Sequence, residues 1–288
     1  MTQTHSPKHH TIVISCADRP GLVAAVSGCA ARHGGTLVES HNHTDQQQRW
    51  FFMRNVVTGA PDFDCEAFKA EFEELANDNG MVWALSNSDA PQRVVILASY
   101  ASHCLADLLY RWKSGDLDCT IPCVISNHEN LRSMVEWHGI PFHYVPVPKD
   151  DKVAAFETIE DIIDRHDANT IVLARFMQIM PPHLCAKYER RLINIHHSFL
   201  PSFIGANPYQ KAHDRGVKLI GATCHYVTTD LDEGPIIEQD VVRVDHSYSK
   251  ADLVRHGRDV ESSVLSRGLR YHLEHRVLVH GNKTVVFK

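Results

Sequence analysis

The chain has 288 residues, 43% hydrophobic and 22% charged, an ordinary globular balance that argues against disorder. At roughly 100–200 residues per domain, that length predicts two domains. Net charge is −6 with histidine neutral and no Lys/Arg-rich run occurs, so no nucleic-acid partner is expected. The polar start MTQTHSPKHH and the lack of any apolar run near ~18 residues predict a cytoplasmic protein without membrane contact.

Residues 10 to 86 read as one compact unit. HTIVISC is a β-branched strand, followed by a helix in ADRPGLVAAVSGCAARHGG. There Asp18 is placed to cap, Pro20 suits the first turn, and Gly34-Gly35 ends the helix. TLVESHNH and RWFFMRNVV are strands joined by the polar TDQQQ. DCEAFKAEFEELAND is an amphipathic helix with Phe68, Phe72 and Leu75 on one side, and MVWALS is a closing strand. The order βαββαβ fits a ferredoxin-like sandwich over residues 1–86.

The segment 87–92, NSDAPQ, is polar, carries a proline and has no period, so it reads as a linker. From residue 93 to 288 strands and helices alternate: RVVILAS, HCLADLLYRWKSG, CTIPCVISN, ENLRSMVEWHG, PFHYVPV, KVAAFETIEDIIDRH, NTIVLARF, RLINIHH. LIGATCHYV and PIIEQDVVRV are strands flanking the loop TTDLDEG, a long helix follows from Ser249, and TVVFK is a candidate edge strand. Such alternation makes a doubly wound, mostly parallel sheet of the α/β class, with ligands at the carboxyl ends of the strands.

Asn194 and His196 fall at one of those ends. Two apart on a strand, they aim the same way, and His197 points oppositely. An amide donor beside an imidazole polarises a carbonyl and stabilises the oxyanion formed on attack. Asp232, in a loop between two strands of that sheet, is free to converge on them, to orient or deprotonate water and to hold the imidazole protonated. Spacing alone leaves a purely local role open, since strand-end Asn and His often bond nearby backbone and Asp-x-Gly often only turns the chain.

The eight cysteines are scattered, without a Cys-x-x-Cys pair, several inside apolar patterns, and read as small buried hydrophobes. Among 21 histidines, His41 and His43 share a strand face, but no third or fourth ligand lies near in sequence, so no metal is expected.

INIHHSFLPSF followed by GATCHYVTTDLDEGPIIEQD resembles the signature of the folate-dependent formyltransferase superfamily, in which an Asn-x-His at a strand end and an Asp just before Gly-Pro form the catalytic triad. On this chain those positions are Asn194, His196 and Asp232. DRPGLVAAVSG, SNHENLRSMVEWHGIPFHYVPV, ARFMQIM and GANPYQKAHDRGVKLIGAT extend the resemblance over nearly every element. It implies folate contacts, largely through backbone, at Arg175, Met177, Gln178 and Ile179, with Thr228 and Leu231 opposite; Met177 and Ile179 read equally as core. The N-terminal unit resembles an ACT domain, which implies an amino-acid effector at Asp18, Gly21 and Leu22, or dimerisation by sheet pairing without one.

Family members that pass the formyl group to a phosphorylated amine need a Gly-rich loop after the first strand. Here that stretch reads ASYASHCLADLL, without glycine. The expected reaction is therefore hydrolysis of 10-formyltetrahydrofolate to tetrahydrofolate and formate, with transfer to an amine as the alternative. The expected partners are the folate, water, a possible effector and further copies of the chain as a homodimer or homotetramer. No cofactor besides the folate substrate is called for.

Overall fold

The computed structural model describes residues 9–59, 63–87, 92–201 and 208–288. Most of the expected linker (88–91) and the end of INIHHSFLPSF (202–203) lie outside the described residues. The chain forms two compact units: residues 1–90 with 275–280 and 285–288, and residues 91–274 with 281–284.

The first unit runs β1 (His9–Ala17), α1 (Leu22–Arg32), β2 (Gly35–Asp45), β3 (Trp50–Gly59), α2 (Cys65–Asn79) and β4 (Val82–Asn87). The strands pair antiparallel in the order β2-β3-β1-β4, the ferredoxin-like arrangement. Ile12, Ile14 and Cys16 of β1 pack against Leu22 and Val26 of α1 and Phe68 and Phe72 of α2. Each fully buried large side chain of this kind contributes about 1.5–3 kcal/mol. Asp64 caps α2 by accepting from Glu66 and Ala67 N–H, and Gly80 ends it in the left-handed region at φ 61°.

The start of α1 differs from the sequence reading. Its N-cap is Gly21, at φ 92° with no side-chain cap, so Asp18 and Pro20 both precede the helix. Asp18 instead donates its N–H to Arg49 O at 2.8 Å, beside the β1–β3 pairing.

The second unit contains β5 (Gln92–Ala98), α3 (His103–Ser114), β6 (Cys119–Thr120), β7 (Val124–Ser126), a 3₁₀ turn (Glu129–Leu131), α4 (Arg132–Trp137), β8 (Phe142–Tyr144) and α5 (Lys152–Arg165). It continues with β9 (Thr170–Ala174), α6 (Pro182–Lys187), β10 (Leu192–His196), α7 (Pro208–Arg215), β11 (Leu219–Tyr226), β12 (Ile236–Arg243) and α8 (Lys250–Leu273). The sheet order is β12-β11-β10-β9-β5-β7-β8, with β6 beside β5. β10, β9, β5, β7 and β8 are parallel, whereas β11 pairs antiparallel with both β10 and β12. β9 is buried along its whole length, as a parallel strand covered on both faces must be.

The chain leaves β5 toward β7 and β8, then crosses back to β9 and β10 on its other side. That reversal opens a crevice at the carboxyl ends of β5, β9 and β10.

The end of the chain corrects the expected second domain of 93–288. Two strands, β13 (Val277–His280) and β14 (Lys283–Val286), pair there, and only the latter overlaps the expected edge strand. Leu278 and Phe287 bury against Phe52, and Arg276 pairs with Glu39 at 3.3 Å, so 275–280 and 285–288 complete the first unit. The apolar side chains of this tail need cover, and the open face of β3 supplies it.

Candidate active site

β10 carries Asn194 and His196 to the crevice, and the loop between β11 and β12 brings Asp232 to meet them. His196 Nδ1 lies 3.3 Å from Asp232 Oδ2, and the ring is almost fully buried. Its Nε2 is buried with no hydrogen-bond partner among the described residues. A buried imidazole nitrogen left without a partner costs free energy, so it marks a position reserved for something that binds.

Asn194 is oriented from the neighbouring strand, where His225 stands directly opposite it in the β10–β11 register. His225 Nδ1 donates to Tyr226 O at 2.9 Å, which leaves Nε2 as acceptor for the Asn194 amide at 3.2 Å. Burial lowers the His225 pKa and keeps the ring neutral, consistent with that tautomer. The amide keeps a second N–H for a ligand.

Burial pulls the Asp232 carboxyl upward, but the hydrogen bond and electrostatic pull of His196 lead the effects that outweigh it and hold the group below its usual range. Its backbone sits at φ 58°, an uncommon conformation for a non-glycine residue and one that clusters at functional sites. Gly234 makes this loop possible: a Cβ there would stand 1.8 Å from Tyr226 O.

The turn after β10 is clamped. Thr223 Oγ1 accepts from Leu200 N–H at 3.1 Å and donates to Ser198 O at 2.9 Å. Gln239 Nε2 donates to Leu200 O at 3.1 Å and to Thr223 Oγ1 at 2.9 Å. The Leu200-Pro201 peptide is cis.

These groups open on a cavity of about 600 Å³, a normal size for a small-molecule site. One wall is apolar. Met177, Ile179 and Leu231 line it while 57%, 67% and 54% exposed, so the core-packing reading of Met177 and Ile179 does not hold. Gln178 and Thr228 also line the cavity, and Ser99 holds the 175–179 segment by accepting the Met177 N–H at 3.0 Å.

Arg175 lines the same cavity. Its side chain joins a buried cluster around Glu261, whose carboxylate lies 3.3 Å from Arg175 Nε and 2.7 Å from His103 Nε2 and accepts from the Tyr209 hydroxyl. Gly257 makes room for Tyr209, since a Cβ there would meet its hydroxyl at 2.0 Å. His103 opens α3, just where the sequence lacks a glycine cradle.

The sequence reading missed His225, Ser99 and Glu261. Glu261 carried a signal: Leu253, Gly257, Val264, Leu265 and Gly268 form the buried stripe of α8, and Glu261 sits in that stripe at 1% exposure.

In the first unit, Gly21 is open to solvent beside α1, but the Leu22 side chain is buried in the core, so of its groups only backbone faces the expected effector loop. His41 lies 3.4 Å from Glu39 and packs at a tilt against Phe287, and His43 stacks on Phe52. Neither belongs to the Cys/His/Glu groupings with metal-ligand spacing among the described residues, such as Cys123, His143 and His166.

An Asn-x-His strand end facing a loop aspartate, at the crevice of a mostly parallel sheet, defines a class: residues 92–269 match the formyl transferase family, and the chain belongs to it. Over nearly its whole length the chain is similar to formyltetrahydrofolate deformylases. The Bacillus subtilis enzyme is 46% identical, with 96% of this chain and 93% of the relative covered, and that of a Corynebacterium species is 46% identical, with 97% and 98% covered. The crystal structure of the formyltetrahydrofolate deformylase from Pseudomonas syringae pv. tomato superposes with a TM-score of 0.96 at 55% identity, over 99% of this chain and 96% of that one.

Proposed function

We propose that this cavity hydrolyses 10-formyltetrahydrofolate, releasing tetrahydrofolate and formate, with Asn194, His196 and Asp232 as the catalytic residues. The observation that carries the reading is the buried, partnerless Nε2 of His196, aligned by a carboxylate on its other nitrogen and lying on the cavity with the Asn194 amide. Full-length similarity to deformylases, rather than similarity confined to the second unit, supports it.

In the proposed reaction the formyl oxygen lies against the Asn194 N–H and His196 Nε2–H, the donors on which oxyanion charge develops. Asp232 holds His196 through Oδ2 and positions water through Oδ1. Attack gives a tetrahedral intermediate, and a proton delivered to N10 expels the folate amine. Met177, Gln178 and Ile179, with Thr228 and Leu231, are the proposed contacts of the pterin ring.

Water is the acceptor because the turn after β5 offers no glycine cradle for a phosphorylated amine; His103, tied to Glu261, stands there instead. Incubation of the full chain with 10-formyltetrahydrofolate alone tests this: equal formation of formate and tetrahydrofolate is expected. Turnover only on addition of an amine would overturn it in favour of a transferase.

The first unit is read as a regulatory and assembly module. Backbone N–H groups at Gly21 and Leu22, beside Asp18, are the proposed seat of an amino-acid carboxylate, and free edges of its sheet are the proposed contacts of a homodimer or homotetramer. A shift in melting temperature across a panel of free amino acids tests the first, and molar mass by light scattering the second. Among the described residues no helix is long and apolar enough to cross a membrane.

A further inference from the structure

We propose that Arg175 forms a formate subsite in the active-site cavity, receiving the smaller product as it leaves; the proposal rests on the hydrolytic reading above. Four observations point there. Arg175 directly follows β9 with its backbone at φ 62°, a conformation that side-chain-bearing residues rarely adopt, so the chain holds this arginine against local preference. Its side chain lines the cavity, yet Nε and Nη1 are buried and donate to no acceptor among the described residues.

Glu261 explains why the guanidinium stays put without being saturated. Its carboxylate is engaged by His103 and Tyr209, and it faces Arg175 Nε as a charge at 3.3 Å, out of line for a hydrogen bond. A planar fork held by one carboxylate and still carrying free N–H groups is matched to a second, small carboxylate.

The third observation is position. The His197 ring lies 5.2 Å from His196 and 6.1 Å from Tyr209, bridging the catalytic histidine and the Arg175 cluster. The fourth is charge. Arg175, Lys250 and Arg258 line the cavity, three cationic side chains against the two carboxylates of Glu261 and Asp232, in a protein of net charge −6. Met177, Ile179 and Leu231, which also line the cavity, are apolar and suit the folate.

The chemistry delivers a suitable ligand. Water oxygen bonds to the formyl carbon, the C–N10 bond breaks as one water proton passes to N10, and loss of the other leaves formate as a monoanion. The two products thus part, formate to the guanidinium and the folate to the apolar side chains.

The test is proton NMR line broadening of formate titrated into the full-length enzyme without folate, together with inhibition of turnover by added formate. Arg175→Gln is expected to weaken formate binding at least tenfold and to abolish the inhibition. Because that variant leaves Glu261 facing no arginine, Arg175→Gln/Glu261→Gln is made in parallel, and its melting curve establishes that it is folded. In the double variant the same loss is expected. Formate affinity within tenfold of wild type in either folded variant, or no formate binding to the wild type, would overturn the subsite. Wild-type enzyme that releases no formate from 10-formyltetrahydrofolate would instead sink the hydrolytic reading, so the two failures are distinct.

Discussion

Asn194 is held by an imidazole rather than by backbone, and this makes its amide a fixed donor at the cavity. Replacing it with alanine is expected to lower kcat by about 10²–10³, the usual cost of one oxyanion donor. Folate affinity should stay within about threefold, because that donor is used mainly in the transition state. His225→Phe keeps an aromatic ring at this position but removes the acceptor for Asn194. It is expected to lower kcat by about 10-fold to 10²-fold with KM little changed, since misplacement of a reacting group costs rate rather than binding. Steady-state kinetics of the two variants check both expectations. Asn194 and His196 were legible as a pair because strand alternation puts them on one face. His225 was not: its role depends on standing opposite Asn194 across β10 and β11, a register no local pattern states. Asp232 was reached only because its loop joins two strands of the same sheet.

The loop between β11 and β12 and the tail after α8 are the elements whose integrity is most open to test. Gly234→Ala drives a methyl onto Tyr226 O and must displace the Asp232 loop. The expected result is a kcat loss approaching that of Asp232→Asn, together with a stability loss of about 1–3 kcal/mol by denaturant titration. In the first unit, Glu39 lies between Arg54 and Arg276. Burial raises its carboxyl pKa, but the hydrogen bond and charge of Arg54, then Arg276 and His41, overcome this and bring it to about 2. Folding therefore lowers this pKa, and the stability gained is full above the ordinary carboxyl value of 4.5 and is lost as pH falls from there toward 2. With the side chain a third exposed, solvent screening reduces the contribution to about 1–2 kcal/mol. Glu39→Gln should lose about that much at pH 7 and show a flatter acid limb in urea melts between pH 4.5 and 2. Each of β1 to β4 was legible because apolar or β-branched runs and turn residues agree. The start of α1 was misread because Gly21, not Asp18, occupies the capping position, and β13 because a four-residue strand has too little pattern to register.

At the scale of the molecule, two units with different sheets divide the work: the second holds the cavity, and the first has a separate core that the end of the chain completes. The change from a βαββαβ order to alternating strands and helices made that division visible in sequence. The return of residues 275–280 and 285–288 was not visible, because strand pattern does not say which sheet a strand covers. The central claim is that solvent accepts the formyl group in the cavity built by Asn194, His196 and Asp232. Turnover of 10-formyltetrahydrofolate in ¹⁸O-labelled water, with no amine present, measures it directly by mass spectrometry of the formate. One labelled oxygen per formate released is the expected result, whereas unlabelled formate, or release only with an added amine, would contradict the account.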